Sequence, residues 1–222
     1  MTTIFSIIIP VYNEDESIGE LVDEIINKIP IKDYKYEIVI IDDCSTDNTK
    51  KILEELYNYS FIKYFSNSRN MGQSFSIKKG IELSNSNIIV TLDGDGQNNP
   101  SDIMRLYNLY CNEKDIKLLG GIRIKRKDTI IKIISSKVAN YTRQLILKDD
   151  CVDTGCSLKI FDKEIFLLFP FFTGLHRFLP ALFKAHGCKT KFENVDHRKR
   201  NKGVSKYGVY NRIFRGIIDI FK

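Results

Sequence analysis

Four short apolar runs constrain what this chain can fold into. Ile4–Val11 (IFSIIIPV), Glu37–Ile41 (EIVII), Ile62–Phe65 (IKYF) and Ile88–Leu92 (IIVTL) are short and mostly β-branched or aromatic, so each reads as a buried strand. Helical periodicity fills the gaps between them. Ile18, Leu21, Val22, Ile25, Ile26 and Ile29 recur at helical spacing, with Ser17 or Asp15 placed to cap the helix and Pro30 placed to stop it. Thr46 or Asp47 opens a second helix through about Tyr59, with Ile52, Leu53 and Leu56 inward, and Ser74–Ser84 forms a third. Strand and helix alternating in this way predict an α/β fold, a mostly parallel central sheet flanked by helices. A length of 222 residues suits a single domain.

In such a sheet, ligands collect at the carboxyl ends of the strands. Three polar clusters follow strands directly: Tyr12-Asn13-Glu14, Asp42-Asp43 and Asp93-Gly94-Asp95-Gly96-Gln97. If the last cluster continues extended, Asp93, Asp95 and Gln97 point the same way and converge on one ligand. Oxygen donors of this kind suit Mg²⁺ or Mn²⁺ shared with substrate phosphates. Alone, the pentad also reads as an ordinary acidic, Gly-rich turn; two further acidic or amide clusters on the same edge favour the metal. Neither a P-loop lysine motif nor G-x-G-x-x-G follows the first strand, which argues against a dinucleotide oxidoreductase. Any phosphates then fall to the metal and to basic side chains.

The charge is split along the chain. Residues 1–120 carry 12 Lys+Arg against 19 Asp+Glu, a net −7, and residues 121–222 carry 22 against 9, a net +13. The second half is therefore expected to meet an anionic partner, such as phosphates or a membrane surface. Five scattered cysteines (Cys44, Cys111, Cys151, Cys156, Cys188) form no zinc pattern, and Met1-Thr2-Thr3 runs into the first strand without a basic leader. Reduced thiols in a cytosolic setting are expected.

In that second half, Leu118–Arg123 reads as a strand delivering Arg123, followed by the polar connection Arg126, Lys127, Asp128. Ile130–Leu147 has helical periodicity and carries Lys132 and Ser135. Ile165–Ala185 is the most apolar segment, but Pro170, Gly174, His176-Arg177 and Pro180 interrupt it, so a buried or interfacial helix pair is expected rather than a membrane span. Lys191–Val195 reads as the last strand. Then His197, Arg198, Lys199, Arg200, Lys202 and Lys206 crowd a loop containing Gly203, which suits phosphate recognition. A nucleic-acid patch is the competing reading, weakened by the lack of interleaved aromatics. From Tyr210 an amphipathic basic helix (210–222) is expected, either closing a soluble or truncated form or resting on a membrane surface.

Ile9–Glu14 (IPVYNE), Ile41–Asp47 (IDDCSTD), Asn70-Met71-Gly72 and Leu92–Gln97 (LDGDGQ), in that order, resemble the signatures of family 2 glycosyltransferases with the GT-A fold. The Asp-x-Asp-x-Gln form is similar to that of polyprenyl-phosphate sugar transferases of the dolichol-phosphate mannose synthase type. The resemblance implies an inverting, metal-dependent transfer of a mannose- or glucose-type sugar from a nucleotide diphosphate sugar to a polyprenyl phosphate, on the cytoplasmic membrane face. One catalytic domain is implied: residues 1–120 for donor and metal, 121–209 for acceptor, 210–222 as a helix facing the membrane. Asp95 and Gln97 then hold the metal, and Asp93 contacts ribose or sugar. Pro10, Val11, Tyr12, Asn13, Glu14, Asp42 and Asp43 shape the nucleotide pocket. Arg123 and Ser135, with Lys132 as a weaker counterpart, hold the acceptor phosphate. Arg200, Ser205 and Lys206 match Arg-x-x-Gly-x-Ser-Lys and contact the pyrophosphate. Catalysis is assigned to Asp93, Asp95, Arg123 and Arg200. His176-Arg177 matches a family His-Arg, catalytic or structural, and Asp150–Ser157 matches a loop whose Asp153 either orients sugar hydroxyls or caps a turn. Two alternatives stay open: transfer to a saccharide or protein hydroxyl with Asp153 or Asp128 as base, and a non-catalytic nucleotide-sugar-binding protein.

Overall fold

The computed structural model describes residues 4–32, 34–56, 58–124, 144, 147 and 149–199. In chain order its elements are β1 (Phe5–Val11), α1 (Ile18–Lys28), β2 (Tyr36–Asp42), α2 (Thr49–Leu56), β3 (Ile62–Ser66), α3 (Gln73–Leu83), β4 (Ile88–Thr91), α4 (Ser101–Asn112), β5 (Ile116–Ile124), β6 (Lys159–Asp162), α5 (Lys163–Leu167), α6 (Leu175–Ala185) and β7 (Lys189–Asp196). The strands form a seven-stranded sheet in the order β3-β2-β1-β4-β6-β5-β7. β1 pairs in parallel with β2 on one side and β4 on the other, and β5 with β7. β6 runs antiparallel to both of its neighbours, β4 and β5. The mostly parallel α/β sheet expected from the alternating runs is therefore present.

Strand periodicity assigns side chains to the two faces of the sheet. Ile7, Ile9, Ile38 and Ile40 join one apolar cluster with Ile18, Val22 and Ile25 of α1 and Ile103 and Leu106 of α4. Ile8, Val39 and Ile41 join the other, with Ile77 and Ile81 of α3 and Leu179 and Phe183 of α6. Both faces are thus covered, which explains why β1 and β2 are apolar at nearly every position. Each fully buried Ile contributes about 1.5–3 kcal/mol.

Two elements lacked a sequence signal strong enough to name: α4, whose mean hydropathy is low despite Ile103, Leu106 and Tyr110, and the four-residue β6. The helix pair expected over Ile165–Ala185 is α5 and α6, and among the described residues no helix is long and apolar enough to cross a membrane. The expected helix over 130–147 and the basic tail 210–222 lie outside the described residues.

Candidate active site

The chain steps outward from β1 to β2 to β3, then returns across β1 to β4. A crevice forms where strand order reverses, here between the carboxyl ends of β1 and β4. The first wall is the turn after β1. Asn13 takes the left-handed region (φ 52°), tolerable for Asn, and its Oδ1 accepts from the Thr46 N–H at 2.7 Å. The Asn13 N–H donates to Ser45 Oγ at 2.9 Å, and the Glu14 N–H to Thr49 Oγ1 at 2.8 Å. Asn13 therefore fastens the β1 turn to the β2 turn.

Asp42 and Asp43 are buried at the end of β2. Asp42 accepts from the Ser45 N–H at 3.0 Å and from the Ser66 hydroxyl at 3.1 Å. Asp43 accepts from Asn67 Nδ2 and the Met71 N–H, both at 2.8 Å, and from the Gly72 N–H at 2.7 Å. Three donors on one carboxylate define what Asp43 does here: it ties the Asn70-Met71-Gly72 loop to β2.

The pentad after β4 turns instead of continuing extended. Gly96 has φ +70°, and Asp95 Oδ1 accepts from the Gln97 N–H at 3.1 Å. Alternation therefore does not aim the three polar side chains; the turn does. Gly94 packs on β1 so closely that an added Cβ would sit 2.7 Å from Val11 Cγ1. The Ser17 hydroxyl, expected as a helix cap, instead donates to the Gly94 carbonyl at 2.9 Å and pins the turn to the start of α1. Asp93 points inward, where its Oδ1 accepts from Gln73 Nε2 at 2.8 Å and its N–H donates to Ser157 Oγ at 3.2 Å. Burial, and then the charge of Asp95, push the Asp93 carboxyl up to about 6, against the pull of Ser157, Lys159 and Arg123.

Beneath Asp93 lies a pocket of about 20 Å³, room for one water, lined by Gln73, Ser157, Lys159 and His176 among others. Lys159 is buried on β6 opposite Thr91, and its ammonium donates to the carbonyls of Thr154 and Cys156. His176 Nδ1 lies 2.7 Å from the Ser74 hydroxyl, which also accepts from the Gly174 N–H. Burial, then the charges of Arg177 and Lys159, hold His176 well below its ordinary value, so it is neutral at pH 7. Gln73, Ser157 and Lys159 were not singled out from sequence; a lone lysine inside the apolar run Leu158–Phe161 was the available signal.

Arg123 is the penultimate residue of β5, one short of the strand's end. Its guanidinium closes on Asp153 through two hydrogen bonds, Nε to Oδ2 at 2.8 Å and Nη2 to Oδ1 at 2.7 Å, and its main-chain N–H donates to the same carboxylate. The side chains are 15% and 8% exposed. Asp153 thus holds Arg123 and the loop that carries Ser157.

Beyond β7 the chain pairs with the far side of the pentad. Asn98 and His197 form an antiparallel bridge, and the Arg198 N–H donates to the Gln97 carbonyl at 2.8 Å. Gln97 Nε2 donates to the Arg198 carbonyl at 3.4 Å, while the Arg198 guanidinium clasps Glu24 of α1 at 2.6 and 2.7 Å and reaches Asn99 Oδ1 at 2.8 Å. The first residues of the basic loop are therefore bound to the expected metal turn. Asp128, Lys132, Ser135, Arg200, Ser205 and Lys206 lie outside the described residues.

The donor set fits a hard divalent cation. Asp95 is half-buried at the crevice, and with its Nε2 committed to Arg198, Gln97 turns its amide oxygen elsewhere. Among the described residues, no group of three or more His, Cys, Asp or Glu side chains forms a cage. Two protein ligands, with phosphate oxygens completing the shell, is how Mg²⁺ is commonly held.

Comparison with known proteins agrees with this geometry. The chain is 33% identical over 223 residues to a dodecaprenyl-phosphate galacturonate synthase of Rhizobium johnstonii, covering 97% of this chain and 64% of that protein. It is 31% identical over 210 residues to an undecaprenyl-phosphate 4-deoxy-4-formamido-L-arabinose transferase of Yersinia pestis, covering 94% of this chain and 64% of that one. The chain thus spans just under two thirds of the length of these relatives. Among solved structures, glucosyl-3-phosphoglycerate synthase from Mycobacterium tuberculosis superposes with a TM-score of 0.73 at 16% identity, over 98% of this chain and 80% of that one. Mannosyl-3-phosphoglycerate synthase from Rubrobacter xylanophilus gives 0.73 at 12% identity, over 99% and 72%. At these identities the likeness concerns the fold, which is GT-A. The profile described as "Glycosyl transferase family 2" matches residues 6–168, and the chain belongs to that family.

Proposed function

We propose that this chain transfers a sugar, with inversion, from a nucleotide diphosphate sugar to a polyprenyl phosphate, using Mg²⁺ or Mn²⁺. One observation carries the reading: the Asp93–Gln97 turn stands at the carboxyl end of β4, beside the β1 turn, where strand order reverses. Both relatives described above are named as polyprenyl-phosphate sugar enzymes, and M. tuberculosis glucosyl-3-phosphoglycerate synthase was solved with Mn²⁺ and uridine diphosphate.

Pro10, Val11, Tyr12 and Glu14 would border the base, with Asn13, Asp42 and Asp43 fixing that wall. Asp95 and Gln97 would hold the metal, which when bound neutralises charge on the departing diphosphate. Asp93, braced by Gln73, would contact ribose or sugar. Arg200, Ser205 and Lys206 would hold the pyrophosphate, and Ser135 and Arg123 the acceptor phosphate. Arg123 serves either by opening from Asp153 or by presenting the outer edge of the pair. A lipid phosphate is already an anionic nucleophile near neutral pH, so positioning and electrostatics suffice.

The alternative acceptor, a hydroxyl, needs a carboxylate base. Asp153 is poorly placed for that role, because both of its carboxylate oxygens are engaged by the Arg123 guanidinium. The test is a donor screen with GDP- and UDP-sugars, including galacturonate and 4-deoxy-4-formamido-arabinose donors, with Mn²⁺ and a short polyprenyl phosphate. Released nucleotide diphosphate and glycolipid are read together. Asp95→Ala is expected to lower kcat/KM at least about a hundredfold, since the metal supplies several kcal/mol of charge stabilisation, with the melting temperature unchanged. Full activity of that variant, or transfer to simple hydroxyls alone, overturns the reading.

A further inference from the structure

We infer that the Glu24–Arg198 ion pair is a latch that seats the start of the basic loop on the metal turn and so sets the orientation of Gln97. The inference rests on the reading of Gln97 as a metal ligand and assigns a positioning role to two residues that touch neither substrate nor metal.

Arg198 opens the most cationic stretch of the chain, and composition alone would place it with the phosphate-binding cations. Its hydrogen bonds assign it elsewhere. Both guanidinium nitrogens that meet Glu24 lie within 2.7 Å of a carboxylate oxygen, a fork-to-fork pair, and Nη2 also reaches Asn99. Glu24 stands on α1, a helix anchored in the core through Leu21, Val22 and Ile25. A side chain committed in this way to a rigid helix is spent as a phosphate ligand, but it locates its own main chain firmly.

That main chain holds Gln97. The Arg198 N–H donates to the Gln97 carbonyl, the Arg198 carbonyl accepts from Gln97 Nε2, and His197 bridges Asn98. An amide has one donor end and one acceptor end, so engaging Nε2 fixes where Oε1 points. Ligands are commonly oriented by such outer contacts, whose loss costs about 10–100-fold in metal affinity.

The test uses the full chain and three variants. Glu24→Gln keeps the shape and removes the charge, Arg198→Met removes the fork, and Glu24→Arg/Arg198→Glu restores the pair in reverse. Mn²⁺ binding in the presence of UDP or GDP is followed by electron paramagnetic resonance. Both single variants are expected to raise the Mn²⁺ Kd about tenfold, with the swap recovering most of the loss. Tryptic cleavage after Lys199, followed by mass spectrometry, is expected to accelerate in Glu24→Gln while cleavage elsewhere keeps its rate. Unchanged Mn²⁺ affinity in Arg198→Met, or unchanged cleavage after Lys199 in Glu24→Gln, overturns the latch. A wild-type chain that binds no Mn²⁺ overturns the metal assignment instead, and the cleavage result still decides whether the latch exists.

Discussion

Arg123 and Asp153 meet with little water around them, and that decides how each responds to mutation. A guanidinium 15% exposed, with two hydrogen bonds to a carboxylate 8% exposed, has exchanged most of its hydration for protein contacts. Removing one member takes the facing countercharge from a largely desolvated group, a loss of about 3–5 kcal/mol for a buried pair. Gly155 adds a steric constraint, since a Cβ there would meet Arg123 Nη2 at 2.7 Å. Asp153→Ala is therefore expected to destabilise the protein by about 3 kcal/mol. Arg123→Met/Asp153→Leu should cost clearly less than the sum of its singles, because neither charge is then stranded. Urea unfolding of the four proteins checks this, and strictly additive losses would show that the pair is not coupled. The strand that carries Arg123 was legible from the apolar run that starts at Leu118. The partner of Arg123 was not, because Asp153 lies 30 residues away and no local pattern links them.

Elements were legible in proportion to how much of their pattern is local. β1 through β4 announced themselves as apolar runs, and their ends carry most of the candidate site, so that edge was readable before the fold. β6 and α4 were not: a four-residue strand has no period to detect, and α4 is amphipathic on a mostly polar sequence. The cost of missing β6 was Lys159 and the pocket behind Asp93. α3 and α6 meet above that pocket through Ser74 and His176. The folded state holds His176 well below its ordinary value of 6.5, chiefly by burial, so the unfolded chain takes up a proton near 6.5 that the folded one refuses. This contribution is fully present above pH 6.5 and is lost progressively as pH falls from there toward the folded value. Wild-type stability should decline from pH 7 to pH 5 more steeply than that of His176→Gln, by a slope of at most one proton. Urea midpoints at the two pH values decide it, and parallel declines would mean that His176 titrates normally in the fold.

At the scale of the whole molecule, the charge split becomes a spatial arrangement. The acidic half supplies the strands and turns of the candidate site's edge, including Asp42, Asp43, Asp93 and Asp95, whereas residues 121–222 carry a net +13. Part of that positive charge is consumed internally: Arg123 by Asp153, Lys191 by Glu113, Lys184 by Asp150 and Arg198 by Glu24. The remaining excess falls in two stretches of the sequence, 125–148 and 199–222, each with seven Lys or Arg against one Asp. A polybasic stretch attracts an anionic membrane surface by about 1 kcal/mol per Lys or Arg near the surface. On the proposed function, that would bring an acceptor embedded in the bilayer to the crevice. The full chain should accordingly co-sediment with vesicles containing an anionic phospholipid and stay in solution with purely zwitterionic ones. Binding should fall as ionic strength rises above about 0.15 M, where the Debye length drops below about 8 Å. Removing residues 210–222 should weaken it further, because that segment adds Arg212, Arg215 and Lys222 beside Ile213, Phe214, Ile217, Ile218 and Phe221. Equal binding to both kinds of vesicle, insensitive to salt, would assign the attraction to apolar insertion and leave the positive charge to the phosphates of the reaction itself.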